Sequence, residues 1–227
     1  MEHYKIHSLV VGPIATNCYI IETDEIDPAS NRRVGIIIDP GADVAAIIAR
    51  IKALKVVPQQ ILCTHGHFDH ILAIPELVRH YEEEGVSLTI AIHRLDRDYL
   101  GSKAIIRHRR DLAGVGGLAF LERFPFQFPE ASRILEEGDR IGPFRVIHLP
   151  GHTPGSVGYI DEEKGVLFAG DTLFAGGVGR TDLPGGDELA LQASLRRLFS
   201  LPGHTTVYSG HGDRTRIDQE RPRQGWM

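Results

Sequence analysis

Three histidines and an aspartate fall within residues 65–70, in the stretch CTHGHFDHI at 63–71. The stretch follows QQIL, a short apolar run that reads as a buried strand. Imidazoles and carboxylates packed this closely repel or desolvate one another unless a cation sits between them. A metal ion is therefore the chemistry to expect of His65, His67, Asp69 and His70. More donors of the same kind follow. FRVIHLPGHTPGS delivers His152, GVLFAGDTLF delivers Asp171 and TTVYSGHGD delivers His211, each just past an apolar run and within a glycine-containing turn. If these strands lie side by side, their loops gather on one rim.

The gathered set is five imidazoles and two carboxylates. A single tetrahedral zinc takes only three or four protein ligands. The set is better suited to two ions about 3.5–4 Å apart that share a carboxylate and a hydroxide. His65 and His67, two apart in an extended turn, can approach one ion, and Asp69 and His70 can face its neighbour. A lone histidine after a strand is usually a loop residue or a satisfied core group, and His3, His7, His80, His93, His108 and His204 take that reading. The H-x-H-x-D-H string is too specific to share it. Cys63 has no second cysteine at ligand spacing and reads as a small buried hydrophobe. No G-x-S-x-G is present, so a serine nucleophile is not indicated.

The elements that must hold these residues alternate in type. HSLVV, NCYIIE, VGIIID, QQILC, SLTIAIH, FRVIHL, SVGYID, GVLFAG and TTVYSG have strand character. GADVAAIIARIKALK places Val44, Ile47, Ile48, Ile51 and Leu54 at helical spacing, and IPELVRHYEEE does the same for Ile74, Leu77, Val78 and Tyr81. DELALQASLRRLFS reads as a helix capped by Asp187. The early, hairpin-like strands argue against one purely parallel sheet, so the expectation is a mixed, layered α/β fold. Residues 1–227 are taken as one domain, with an irregular, helical excursion at about 94–140 that has its own small core. That excursion carries RHRRD and an aromatic patch, Phe120, Phe124, Phe126 and Phe128, whose sharper reading is a lid or a self-association surface.

Bulk properties narrow the class. The chain has 227 residues, 42% of them hydrophobic, enough for a substantial core. A formal charge of −5 gives no basic footprint for nucleic acid and no reason to expect a membrane partner. Two cysteines make no disulfide framework and suit a reducing, cytoplasmic setting. The N-terminal segment lacks a basic start and is broken by Pro13 and Asn17, so neither a signal peptide nor a membrane span is expected.

At IDPGAD (38–43), THGHFDH (64–70), PGHTPGS (150–156), GDTLFAGGVGRTD (170–182) and GHG (210–212) the chain resembles the metallo-β-lactamase superfamily, and within it the glyoxalase II-like hydrolases. The resemblance implies a four-layer αββα sandwich with mixed sheets and metals at one edge. It implies that His65, His67 and His152 hold one ion, that Asp69, His70 and His211 hold the other, and that Asp171 bridges them. Asp39 looks like the family's supporting aspartate, which orients ligands. Asp69 and Asp171 are then the candidate catalytic carboxylates, acting with two divalent ions, zinc first, although the same donors accept iron or manganese.

The implied activity is hydrolysis of a small-molecule thioester, S-D-lactoylglutathione or a related acyl-thiol, by a metal-bridging hydroxide. Zinc β-lactamases of this fold generally have cysteine or serine where Asp171 stands, which points away from an antibiotic hydrolase. The family's glutathione-binding lysine and tyrosine fall at Arg180 and Asp182, so Arg180 keeps the cation as a substrate clamp and Asp182 departs from the pattern. Gly66 stands where longer enzymes commonly carry a histidine that is not a ligand. DRTRIDQERPRQGWM, after His211, is shorter than the helical domain of full-length glyoxalase II, which resembles the short branch. The GRTD string also occurs in mono-iron persulfide dioxygenases of this fold, the main alternative. A lactonase or phosphoesterase, or a non-enzymatic metal-binding interaction module, are the others.

Overall fold

The computed structural model describes residues 4–113, 116–118 and 127–221. Its first sheet has six strands: β1 (Tyr4–Val11), β2 (Thr16–Asp27), β3 (Arg32–Ile38), β4 (Val56–Leu62), β5 (Thr89–His93) and β6 (Arg133–Leu135), paired in that order. β1, β2 and β3 run antiparallel, and β3 to β6 run parallel. Parallel neighbours need crossovers. All three contain helix: α1 (Val44–Leu54) lies in the first, and a short α2 (Phe68–Ile71) and α3 (Ile74–Glu83) in the second. Between β5 and β6 lie a 3-10 turn at Arg94–Tyr99 and α4 (Ala104–Ala113).

The second sheet is built from β7 (Arg140–Ile141), β8 (Phe144–His148), β9 (Val157–Asp161), β10 (Val166–Gly170), β13 (Thr206–Ser209) and β14 (Thr215–Arg216), in the order β14-β13-β10-β9-β8-β7. A small hairpin, β11 (Leu173–Phe174) and β12 (Gly177–Val178), precedes α5 (Glu188–Phe199), and α6 (Ile217–Glu220) follows β14. Asp187 caps α5, its Oδ1 accepting from the Ala190 N–H at 2.9 Å. Among the described residues no helix is long and apolar enough to cross a membrane.

Strand alternation sorts side chains into three apolar layers. Ile21, Ile36, Ile38 and Leu62 of the first sheet meet Val146, Tyr159 and Phe168 of the second between the sheets. The alternate residues Ile20, Ile37, Ile61 and Ile92 face outward onto Ile47 and Ile51 of α1 and Leu77 and Tyr81 of α3. Ile147, Ile160, Leu167 and Val207 face Leu191, Leu195 and Leu198 of α5 on the other side. The result is the four-layer αββα sandwich with mixed sheets.

The 94–140 span differs from expectation in one respect. Among the described residues, Tyr99, Leu100, Ala104 and Phe128 join the core under α1 and α3 and form no separate one. The reason is topological: the span leaves β5 and must return to pair as β6, which draws it onto the same sheet face. Phe120, Phe124 and Phe126 lie outside the described residues.

Candidate metal centre

The strand ends deliver the donors to one edge, as their positions in the sequence suggest. Asp39 follows β3, His65 and His67 follow β4, and Asp69 and His70 lie on α2. From the second sheet come His152 after β8, Asp171 after β10 and His211 after β13. The two halves are pinned locally: the Asn17 N–H donates to the Gly210 carbonyl at 2.7 Å, and the Val157 N–H to the Thr64 carbonyl at 2.8 Å. Helix α5 fixes the His152 loop, with Ser194 Oγ donating to the Pro150 carbonyl at 2.7 Å.

Two groups of donors match the expected sets, beside a third that joins Asp39 to His65 and His70. One ligand atom from each of His65, His67 and His152 lies within 4.8 Å of the others, and the same holds for Asp69, His70 and His211. Asp171 touches both groups. Its Oδ1 is 3.4 Å from His70 Nε2, while its Oδ2 is 3.6 Å from His152 Nε2 and 3.5 Å from His211 Nε2. Asp39 is buried behind them. Its Oδ1 accepts from the Thr64 N–H at 2.7 Å, and its Oδ2 accepts from Thr64 Oγ1 at 2.6 Å and faces His70 Nδ1 at 3.0 Å. It stands with φ of +50°, a left-handed conformation that is costly for a residue with a Cβ. The His152 ring is oriented by the Arg180 carbonyl, 2.8 Å from Nδ1.

The donors fit a cation. Nε2 of His65, His67 and His70 and Oδ1 of Asp171 are buried with no hydrogen-bond partner. Such atoms cost free energy unless something binds them. The protonation pattern has the same origin. Burial and neighbouring histidines hold His65 well below the ordinary histidine range, and burial together with His152 takes His67 down to about 3. Burial opposes charge on His211, yet hydrogen bonds to Asp171 and Asp69 push it up to about 10. Burial likewise opposes His70, which Asp171 and Asp69 raise well above its usual value. Asp69 is lowered to about 2: burial works against this, and His70 and His211 outweigh it. Neutral imidazoles stand ready as ligands, and protons occupy places that a cation can take.

A cleft of about 460 Å³ opens over these donors. Asp69, His152, Asp171 and His211 reach it, and Pro13, Ile14, Phe68, Leu112 and Leu183 form apolar walls. Arg180 is at its rim, with Nε and Nη2 each 2.6 Å from an oxygen of Asp182.

The profile of the Metallo-beta-lactamase superfamily matches residues 11–211. The chain belongs to that superfamily. It is 37% identical to the hydroxyacylglutathione hydrolase GloC of Haemophilus influenzae, over 96% of this chain and 95% of GloC. Among solved structures, TTHA1623 in a di-iron-bound form matches with a TM-score of 0.79 at 38% identity, covering 97% of this chain and 100% of that one. BLEG-1, a B3 metallo-beta-lactamase, also reaches 0.79, at 35% identity over 98% and 99% of the two chains. Superfamily membership and the His/Asp cluster together make this edge a divalent-metal site.

Some of the residues around the donors have no motif to announce them. Thr16 donates to Asp69 Oδ2 at 3.2 Å, Thr64 links Asp39 to His65, and Asp96 and Tyr99 underlie the His65–His67 loop. The one available signal was position: Asp96 comes just after β5, which is also a strand end.

Proposed function

We propose that the chain is a metal-dependent thioester hydrolase acting on S-D-lactoylglutathione or a related acyl-thiol. The observation that carries the reading is Asp171, whose Oδ1 lies beside His70 with no hydrogen-bond partner while its Oδ2 lies between His152 of one donor group and His211 of the other. In this reading His65, His67 and His152 hold one ion, Asp69, His70 and His211 hold the second, and Asp171 is shared. Similarity to GloC along nearly the whole chain supports the thioester class, and the di-iron form of TTHA1623 supports two ions. Bound divalent ions supply Lewis acidity to a water and to the substrate carbonyl.

The chain's own groups do the rest. The apolar walls, Ile14, Phe68, Leu112 and Leu183, exclude water and hold the substrate's uncharged portion over the donors. Asp69 Oδ2, beside Thr16 and His211, is placed to orient a water at the site. A thiolate leaves without a strong acid.

The test is metal content per chain, followed by a substrate panel. About two equivalents of divalent metal are expected, with turnover of lactoyl-thioesters exceeding that of a β-lactam, a lactone and a phosphodiester. Asp171→Ala is expected to lose metal and to cut turnover about 100-fold or more. Near-normal turnover in that variant overturns the shared-ligand assignment. A single iron with oxygen consumption on a persulfide, or a preference for the β-lactam, overturns the thioester reading.

A further inference from the structure

The turn at Arg94–Tyr99 carries a carboxylate that belongs to neither donor group. Asp96 is fully buried. Its Oδ2 accepts from the Gly66 N–H at 3.0 Å and from Thr153 Oγ1 at 2.7 Å, and its Oδ1 accepts from the Gly155 N–H at 2.8 Å. Gly66 separates His65 from His67, and Thr153 and Gly155 follow His152. One side chain therefore ties together two loops that come from opposite sheets and carry all three histidines of one donor group. The fit is close: a Cβ at Gly155 would lie 2.6 Å from Asp96 Cγ.

We propose that Asp96 is a positioning residue for the ion held by His65, His67 and His152, and sets the affinity of that ion separately from the second. A buried carboxylate is costly unless fully hydrogen-bonded, and a loop contact alone does not require one. Three donors converge here, two of them backbone N–H groups. An asparagine has a single acceptor oxygen and would turn its own N–H₂ toward one of them. A carboxylate lying behind these three imidazoles also favours a cation among them. The second group is supported by Asp39, which faces His70 Nδ1 directly from the β3 end and reaches His65 of the first group only through Thr64. None of the three hydrogen bonds to Asp96 comes from Asp69, His70, His211 or the residues adjoining them.

The inference rests on metal binding at this edge and not on the thioester reading, so its test uses no substrate. Metal-free full-length protein is titrated stepwise with zinc against a competing chelator, and with cobalt while its visible absorption is followed. In Asp96→Ala one binding step weakens about 10–100-fold and the tri-histidine cobalt band changes, while the other step holds. Asp96→Asn falls between Ala and wild type. Thr153→Val, which removes one donor and leaves the carboxylate, gives a smaller loss at the same step. If Asp96→Ala does not fold, the Asn and Val variants decide the question. Wild-type affinity at both steps in these variants, even with lowered melting temperatures, reduces Asp96 to a structural group and overturns the proposal. Equal weakening of both steps overturns it too, as does a wild-type chain that takes up no ion.

Discussion

Arg180 reaches the cleft rim with its guanidinium closed on Asp182 rather than open as a clamp. Both side chains are more than half exposed, so solvent screens the pair and it holds the fork only weakly. Under the proposed thioester reading, a substrate carboxylate would compete with Asp182 for the same fork. Asp182→Ala is expected to lower KM for S-D-lactoylglutathione by up to about fivefold, and to leave KM for an uncharged thioester unchanged. Arg180→Ala should raise KM for the anionic substrate alone. Paired KM measurements on the two substrates decide it, and equal changes on both would leave Arg180 a purely structural residue. At this scale the sequence is informative where chemistry requires particular side chains in a fixed string, as at His65–His70 and the three downstream loops. It was silent on Asp96, whose partners are two backbone N–H groups and a threonine, features that any sequence could supply.

The turn at Arg94–Tyr99 explains a departure that the sequence left open, the glycine at 66. The Tyr99 ring lies directly beneath it, and a Cβ there would fall 2.1 Å from a ring carbon. Tyr99 is itself held by Asp111, its hydroxyl donating to Oδ2 at 2.5 Å, so the ring has nowhere to retreat. Gly66→Ala is expected to destabilise by about 1–3 kcal/mol through overpacking. Tyr99→Ala is costly by its own loss of packing, but the double variant should lose less than the sum of the two single changes. Chemical denaturation of the four proteins measures that coupling, and simple additivity would mean that the ring does not constrain position 66. Among the elements, α1, α3, α5 and the longer strands were legible because their apolar residues repeat over several turns or pleats. β6, β7, β11, β12 and β14 span two or three residues each, too few for any period to show. The attachment of 94–113 to the main core was also hidden, because it follows from the return of the chain to β6 rather than from local pattern.

In the molecule as a whole, the donor groups divide between the sheets: His65, His67, Asp69 and His70 stand on the first, and His152, Asp171 and His211 on the second. Polar pins cross the interface beside them. Tyr159 of the second sheet donates to the Cys63 carbonyl at 2.7 Å, and Tyr19 of the first to the Ser209 carbonyl at 2.6 Å. An ion at this edge thus binds only when the sheets are docked, and it stabilises the docked state by mass action, about 2.7 kcal/mol when free metal is 100 times Kd. Thermal melting with and without chelator is expected to show a clear fall on metal removal. Equal melting temperatures would mean that the edge is held without the ion. The layered architecture was legible through the resemblance, whereas the assignment of each strand to a sheet was not, since alternation reports which face is buried and not against what. Every described strand of the first sheet precedes every strand of the second, and the chain passes between them through residues 136–139. Cut there, it would become two successive pieces, each with part of the ligand set, and the ion would serve as the joint of a two-part protein.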